Sequence, residues 1–282
     1  MKILKRILVI LVLIAVAIFA ALRINAVQRE HVVLKEYHFR HREIPQGFNG
    51  YRILAVSDLH EAPFAEQIAL HIKKTEPDIV VFTGDMNRLP DDSVRETVKL
   101  RELVKDIPMY AVSGNHERQN YNYYEIIAVM KAFGITPLEN DGVWLENRED
   151  KILLIGAEDP NKDNISAEDR DRVKSKITEE LPEEPCFSIL LFHRAGMYPD
   201  IKDTGVDLIL AGDIHGGVAR LPFIGGIFGN SRTKKYFPDY DYGMFREGDG
   251  AAMIVNGGCD KDDKKKRYFN PPEVVLVTLE SE

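Results

Sequence analysis

Aspartate, histidine, asparagine and glycine recur in five short clusters, each placed where an apolar run stops. They are Asp58-Leu59-His60, Gly84-Asp85, Gly114-Asn115-His116-Glu117, His193, and Gly212-Asp213-Ile214-His215-Gly216-Gly217. Carboxylate oxygens, imidazole nitrogens and a side-chain amide are donors for a hard-to-borderline divalent metal, and glycine permits the tight turns around it. Singly, each cluster has a plain alternative. Asp58 or Asp85 can cap a helix N-terminus, and His193 can be a hydrogen-bonded core histidine. Five in succession outweigh those alternatives and point to a metalloenzyme.

The runs that precede the clusters, residues 52–56, 79–82, 108–112, 189–192 and 208–211, have the length and composition of buried strands. Strands of one sheet deliver their C-terminal loops to one edge, where open α/β sheets hold their ligands. The second half is richer in strands, expected over 151–156, 186–192, 207–211, 251–256 and 273–279, two of which contain runs already named. Ala65, Ile68, Ala69 and Ile72 fall at helical spacing, as do Tyr123, Ile126, Ile127 and Met130. A third helix is expected over 91–105, with Asp91, Asp92 or Ser93 as its N-cap, and a fourth, polar and exposed, over 168–180. Residues 221–250 are poorly periodic and rich in Gly, Phe and Tyr, as befits a binding loop or lid. No internal repeat occurs, and residues 51–282 are expected to form one domain.

The formal net charge of −8 argues against a broad nucleic-acid surface, which would be basic. It is compatible with a small phosphorylated substrate, because bound metals invert the local potential. The two cysteines, Cys186 and Cys259, form no metal motif; Cys186 reads as a small buried hydrophobe, and a bridge between the two stays open.

Lys2, Lys5 and Arg6 precede an unbroken apolar run over 7–22, followed by Arg23. Roughly sixteen residues at about 1.5 Å each span about 24 Å, slightly short of a bilayer core, a gap that snorkelling by Arg6 and Arg23 can close. A cleaved signal peptide is the rival, although no small-x-small site follows the run. Residues 1–27 are therefore expected to be an uncleaved single-pass anchor and 28–50 a linker and edge strand. The leading positive charges place the catalytic domain outside the cytoplasm, at the cell membrane.

The ordered clusters resemble the calcineurin-like metallophosphoesterase superfamily, whose signature reads D-x-H, G-D, G-N-H-[ED], a lone H, and G-H-x-H. The resemblance runs from Tyr51 to Leu279. Glu158-Asp159-Pro160, Arg220-Leu221-Pro222-Phe223 and Asn270-Pro271-Pro272-Glu273 are similar to the membrane-associated bacterial branch of that family. It implies an α/β fold, a four-layer sandwich of two mixed β-sheets flanked by helices, here preceded by an N-terminal transmembrane helix. It also implies two divalent ions, of Mn, Fe or Zn, with Mg an option at the second site.

Carried over by residue, Asp58, His60 and His215 match ligands of the first ion, Asp85 the bridge, and Asn115 and His193 ligands of the second. His116 matches the histidine that contacts the phosphate and protonates the leaving group, a role suited to imidazole. Glu117 orients His116 or supports the ligands from behind. Asp213 stands where the family has histidine. An aspartate there makes a harder second site, favouring Mn or Mg over Zn, or else a weak one.

The implied reaction is hydrolysis of a phosphomonoester or phosphodiester, with a cell-envelope or lipid-linked substrate favoured. Two alternatives stand beside it: a pyrophosphatase on a nucleotide-linked lipid precursor, and a catalytically silent envelope binding protein. Arg194, next to His193, is a candidate phosphate contact. The basic run Lys264-Lys265-Lys266-Arg267 is a solvated loop or a contact for anionic headgroups. Phe223, Phe228, Tyr236, Phe237, Tyr240, Tyr242 and Phe245 cover the sheet edge, or face lipid or an apolar substrate.

Overall fold

The computed structural model describes residues 2–162, 164–221, 223–229, 236–261 and 266–282. Pro222 and the Lys264-Lys265 half of the basic run lie outside the described residues.

The chain begins with helix α1 (Lys2–Gln28) and strand β1 (Val33–His41). A first βα succession follows: β2 (Arg52–Val56), α2 (Ala65–Thr75), β3 (Ile79–Thr83), α3 (Arg95–Leu103), β4 (Met109–Val112), α4 (Asn115–Arg118), α5 (Tyr123–Ala132) and β5 (Ile135–Pro137). The second half contains β6 (Asp141–Asn147), β7 (Asp150–Ala157), α6 (Ala167–Glu179), β8 (Ser188–Arg194), α7 (Tyr198–Ile201) and β9 (Leu208–Gly212). It continues through β10 (Arg220–Leu221), β11 (Gly225–Gly226), β12 (Gly243–Phe245), β13 (Ala252–Val255) and β14 (Glu273–Ser281).

Alternation along the strands decides how these elements stack. In β2, Ile53 and Ala55 face one way and Leu54 and Val56 the other, and all four are buried. A strand buried on both faces needs a covering layer on each. Leu54 and Val56, with Val80 and Phe82 of β3, pack against Ile68 and Ile72 of α2 and Ile126 and Met130 of α5. Ile53 and Ala55, with Val81, Val275 and Val277, pack against Ile189, Leu191, Leu210 and Ile254 of the second sheet. The outer face of that sheet, including Leu190, Phe192, Ile209 and Met253, is covered by Val173 and Ile177 of α6 and Tyr198 and Ile201 of α7. The result is the four-layer helix–sheet–sheet–helix sandwich expected.

Each large sheet has six strands, in the orders β1-β14-β2-β3-β4-β5 and β12-β13-β9-β8-β7-β6. Both are mixed. β14 runs antiparallel to β2, and β6 and β12 run antiparallel to β7 and β13, whereas β2, β3 and β4 in one sheet and β7, β8, β9 and β13 in the other are parallel. Those parallel blocks put the ends of β2, β3, β4, β8 and β9 along the same edge of the sandwich.

The helix expected over 91–105 is shorter. Asp91 accepts from the Ser93 amide (2.9 Å) and Ser93 donates to Glu61 (2.8 Å), so residues 91–94 form a turn. The helix over 167–179 buries Val173 and Ile177 and is exposed only on its other side. Both thiols are free, and Sγ of buried Cys259 donates to the Glu273 carbonyl. α1 has 27 residues, about 40 Å at 1.5 Å each, and is long and apolar enough to cross a membrane. It extends well beyond the 7–22 run, and Asn25 is its one buried residue among those described. Beyond it the chain is stitched to α2: Gln67 bonds the Glu30 carbonyl and the Val32 amide, and His71 meets the Val32 carbonyl, each at 2.9 Å.

Candidate metal centre

The strand ends are drawn together by hydrogen bonds that cross between the sheets. Nδ1 of His193 reaches the Thr83 carbonyl (2.8 Å), Asn256 donates to the Ala55 carbonyl (3.0 Å), and the Asp213 amide donates to Asp58 (3.2 Å). The loops that follow are tight. Asp58, His60, Asp85, Asp213 and His215 all have φ between 47° and 75°, a region that costs a non-glycine residue roughly 1–3 kcal/mol. That cost is concentrated where side chains must point into one small volume. Gly84, at φ 94°, has no room for a side chain: a Cβ would lie 2.6 Å from Nδ1 of His193 and 2.7 Å from Cα of Gly114.

Donor atoms of Asp58, His60 and His215 lie within 4.8 Å of one another, as do those of Asp58, Asp85 and His193, and those of His60, Asp85 and His116. Asp85 belongs to two of these groups. Asn115 opens α4 beside His116 and is half-buried. Asp213 is buried, with Oδ1 3.9 Å from Nε2 of His193. The seven metal candidates from the sequence therefore lie along one edge, five on loops, His193 near the end of β8 and Asn115 at the start of α4.

The four imidazoles divide by what holds their Nδ1 atoms. In His60 and His193 that atom faces a carbonyl, of Asn87 (3.0 Å) and Thr83 (2.8 Å), and in His215 it faces a carboxylate oxygen of Asp260 (3.0 Å). These partners can only accept, so Nδ1 carries a proton and Nε2 is the atom turned to the pocket, a lone pair whenever the ring is neutral. His116 is reversed. The Leu89 amide donates to its Nδ1 at 3.0 Å, so the neutral ring carries its proton on Nε2, which lies 4.0 Å from Oδ2 of Asp85.

The residues fit divalent cations. Nε2 of His193 is wholly buried and, among the described residues, has no hydrogen-bond partner, although it lies 3.3 Å from Oδ2 of Asp85. Burial disfavours charge on that ring, but Asp85 raises it well above its ordinary value, so a proton sits between the two groups and a metal ion would take its place. Burial alone would raise the Asp85 carboxyl, but His193, His60 and His116 hold it well below the usual range. Burial, reinforced by Asp58 and Asp85 against His193 and Arg194, pushes Asp213 up to about 6. Burial lowers His60 to about 4, which leaves it neutral at pH 7.

Around the ligands, Glu117 takes the second of the two roles expected of it, whereas Asp260 was not visible in the motif pattern. Glu117 does not bond the imidazole of His116. Its carboxylate accepts the amides of Asp85 (2.8 Å), Met86 (2.6 Å), Asn87 (3.0 Å) and Gly114 (2.8 Å), and so shapes the loop that carries Asp85. Burial pushes Glu117 up to about 7 against the pull of those amides. Asp260 is buried behind His215 and is paired with Arg267 as well. One sequence signal could have exposed it: Gly257-Gly258-Cys259-Asp260 closely follows β13, a glycine-rich polar cluster at a strand end like the others. Arg194, the candidate phosphate contact, already has a partner. Its Nε and Nη2 form a two-pronged, buried ion pair with Asp159.

Comparison with known proteins fits this geometry. Residues 51–217, more than half of the chain, match the family described as calcineurin-like phosphoesterase. The chain is 29% identical over 254 residues to the uncharacterized metallophosphoesterase YkuE of Bacillus subtilis (strain 168), covering 87% of this chain and 85% of that one. It is 25% identical over 279 residues to a Chlamydia trachomatis protein named UDP-2,3-diacylglucosamine pyrophosphatase LpxG, covering 81% and 83%. Among solved structures, TT1561 of Thermus thermophilus shares the fold, with a TM-score of 0.50 and 14% identity over 75% of this chain and 91% of that one. The chain belongs to the calcineurin-like phosphoesterase family, hydrolases acting on phosphoric ester bonds.

Proposed function

We propose that this hydrolase works with two divalent ions and cleaves a lipid-linked or cell-envelope phosphoester. In this reading Asp58, His60 and His215 would hold one ion and Asn115, His193 and Asp213 the other, with Asp85 available to both. Bound there, the ions would supply positive charge for the phosphoryl oxygens and acidify a water. The observation that carries the assignment is the split among the imidazoles: three have Nδ1 on an acceptor and turn Nε2 to the pocket, where a metal would displace any proton, whereas His116 has Nδ1 on a donor and carries its proton on Nε2. His116 thus donates a hydrogen bond to a substrate oxygen, and the Leu89 amide keeps the proton on that side of the ring. Asp213 places an oxygen where the family motif has nitrogen, which favours Mn or Mg over Zn at the second position. Arg194 and Asp159 brace the wall beside it.

The substrate class rests on two features. One is the membrane-length helix, read as an anchor over residues 1–27 that leads through 28–50 to a catalytic domain over 51–282, outside the cytoplasm. The other is the β10–β11 hairpin, shortly after His215, which exposes Phe223 fully and Ile224 by 60%. Similarity to a protein named as a diacylglucosamine pyrophosphatase favours a second reading, cleavage of a phosphoanhydride in a nucleotide-linked lipid.

The full-length protein with Mn should be tested on aryl phosphates, cyclic nucleotides, phospholipids and nucleotide-linked lipids. Turnover highest on lipid-linked substrates supports the assignment, and release of a nucleoside monophosphate selects the pyrophosphatase reading. Turnover of aryl phosphates with none of any lipid substrate defeats the substrate class. Reporters fused after β14 that are active only in the cytoplasm defeat the topology.

A further inference from the structure

Asn25 is the buried exception on a helix whose other described residues are exposed or half-buried, and both polar atoms of its side chain are bonded. Nδ2 donates to the Arg267 carbonyl (3.1 Å), and Oδ1 accepts from the Phe269 amide (2.6 Å). The segment it grips leads directly to the pocket. The Arg267 guanidinium donates through Nε to Asp260 (2.6 Å) and through Nη2 to the Gly257 carbonyl (2.7 Å). Asp260 then holds Nδ1 of His215 (3.0 Å). Asn270, next along the segment, donates to the His215 carbonyl (2.7 Å). His215 is thus held at its ring and at its backbone by a segment that is pinned in turn by the membrane-length helix.

We propose that Asp260 is the positioning residue for His215 and that Asn25 extends this positioning into the anchor, so that the helix completes the metal pocket as well as tethering the domain. The proposal rests on the assignment of His215 as a metal ligand. Three physical points support it. His215 has φ 51°, a conformation that persists only when its surroundings over-determine it. A carboxylate on Nδ1 fixes the tautomer that leaves Nε2 available, and loss of such a partner costs about ten- to a hundredfold in metal affinity. An amide buried at the end of an apolar helix is expensive unless both its halves are bonded, and here both are.

The experiment uses the full chain in nanodiscs and compares wild type, Asp260→Ala, Asn25→Leu and Asn25→Gln. It reads the Mn dissociation constants, the melting temperature of the metal-free protein, and amide exchange over residues 266–270. Asp260→Ala should weaken one of the two ions by about ten- to a hundredfold and leave the other near wild type. Asn25→Leu keeps the helix apolar while removing both bonds. It should speed exchange over 266–270 and weaken the same ion several-fold, with the metal-free melting temperature little changed, and Asn25→Gln should recover part of the loss. Wild-type affinity in Asp260→Ala overturns the positioning role, and equal weakening of both ions shows general unfolding and overturns it too. Wild-type affinity and exchange in Asn25→Leu overturn the link to the anchor. A wild-type protein that binds two Mn ions but hydrolyses no phosphoester would defeat the proposed function and leave this comparison decisive.

Discussion

The Leu89 amide donates to Nδ1 of His116 at 3.0 Å, the reverse of the contact that the Thr83 carbonyl makes with Nδ1 of His193. One backbone group on each ring thereby gives the two Nε2 atoms opposite roles, which the proposed function reads as donor and metal ligand. His116→Ala should lower kcat by about 10²–10³, the scale for losing one oriented donor, with metal content unchanged. His116→Gln, which keeps an N–H, should retain part of the rate. His193→Ala should lose both metal and rate. Metal analysis beside steady-state kinetics checks this, and equal metal loss in the His116 and His193 variants would refute the division of roles.

Glu117 carries four backbone amides on one buried carboxylate. Glu117→Gln turns an amide NH₂ toward those donors and leaves at least one of them unpaired. We expect a loss of about 1–3 kcal/mol in stability, together with weaker metal binding, because the loop that presents Asp85 loosens. Denaturant melts with and without Mn measure both effects. A Gln variant with wild-type stability and metal content would mean that the loop holds itself.

Divalent ions should stabilise the fold strongly, since they relieve a buried, unpartnered Nε2 and close-set carboxylates. At a hundredfold excess over Kd, one site adds about 2.7 kcal/mol, which for a domain of this size raises Tm by roughly 5–10 °C. Chelator should reverse the shift. A melting curve indifferent to Mn, Mg and Zn would contradict the metal assignment.

Ser166 caps α6 through a reciprocal bond with Asp169, and Lys162 adds an ion pair at 2.9 Å. The bond from Ser166, then Lys162, lowers the Asp169 carboxyl from 3.8 to about 2. A depressed carboxyl contributes stability that is fully present above about pH 4 and is lost as pH falls toward 2. Asp169→Asn should therefore be less stable than wild type at pH 6 and should converge with it near pH 2. Parallel melting curves across that range would show that the cap bears no charge-dependent load.

The parts of the site that follow strands were legible because metal donors, glycines and apolar runs each leave a local signature. Asp58, Asp85 and His215 stand a few residues beyond buried β-branched and leucine-rich segments, and no distant information is needed to notice them. Asn25, Arg267 and Asp260 were not legible as a unit. Asn25 and Arg267 are 242 positions apart, and no spacing rule links an amide in an apolar helix to a guanidinium in a loop. The turn at 91–94 was hidden for another reason. Asp91 and Ser93 look like helix caps in sequence, but Ser93 is engaged by Glu61 from another loop, so a tertiary contact overrides the local preference. β6 escaped because it is a half-exposed edge strand with no apolar run to mark it.

β1 leaves α1 and pairs in the first sheet with β14 alone, in a parallel register that joins Val33 to Glu273. A ribosome releases β1 almost first and β14 long afterwards. Through most of synthesis β1 must wait as a bare strand, while β2 to β5 assemble with one flank open. The slot between β1 and β2 is filled only when β14 arrives, so closure of this sheet doubles as a check that the intervening chain has been made. A product arrested before β14 would leave two open edges beside a lipid surface, a form suited to recognition by proteases.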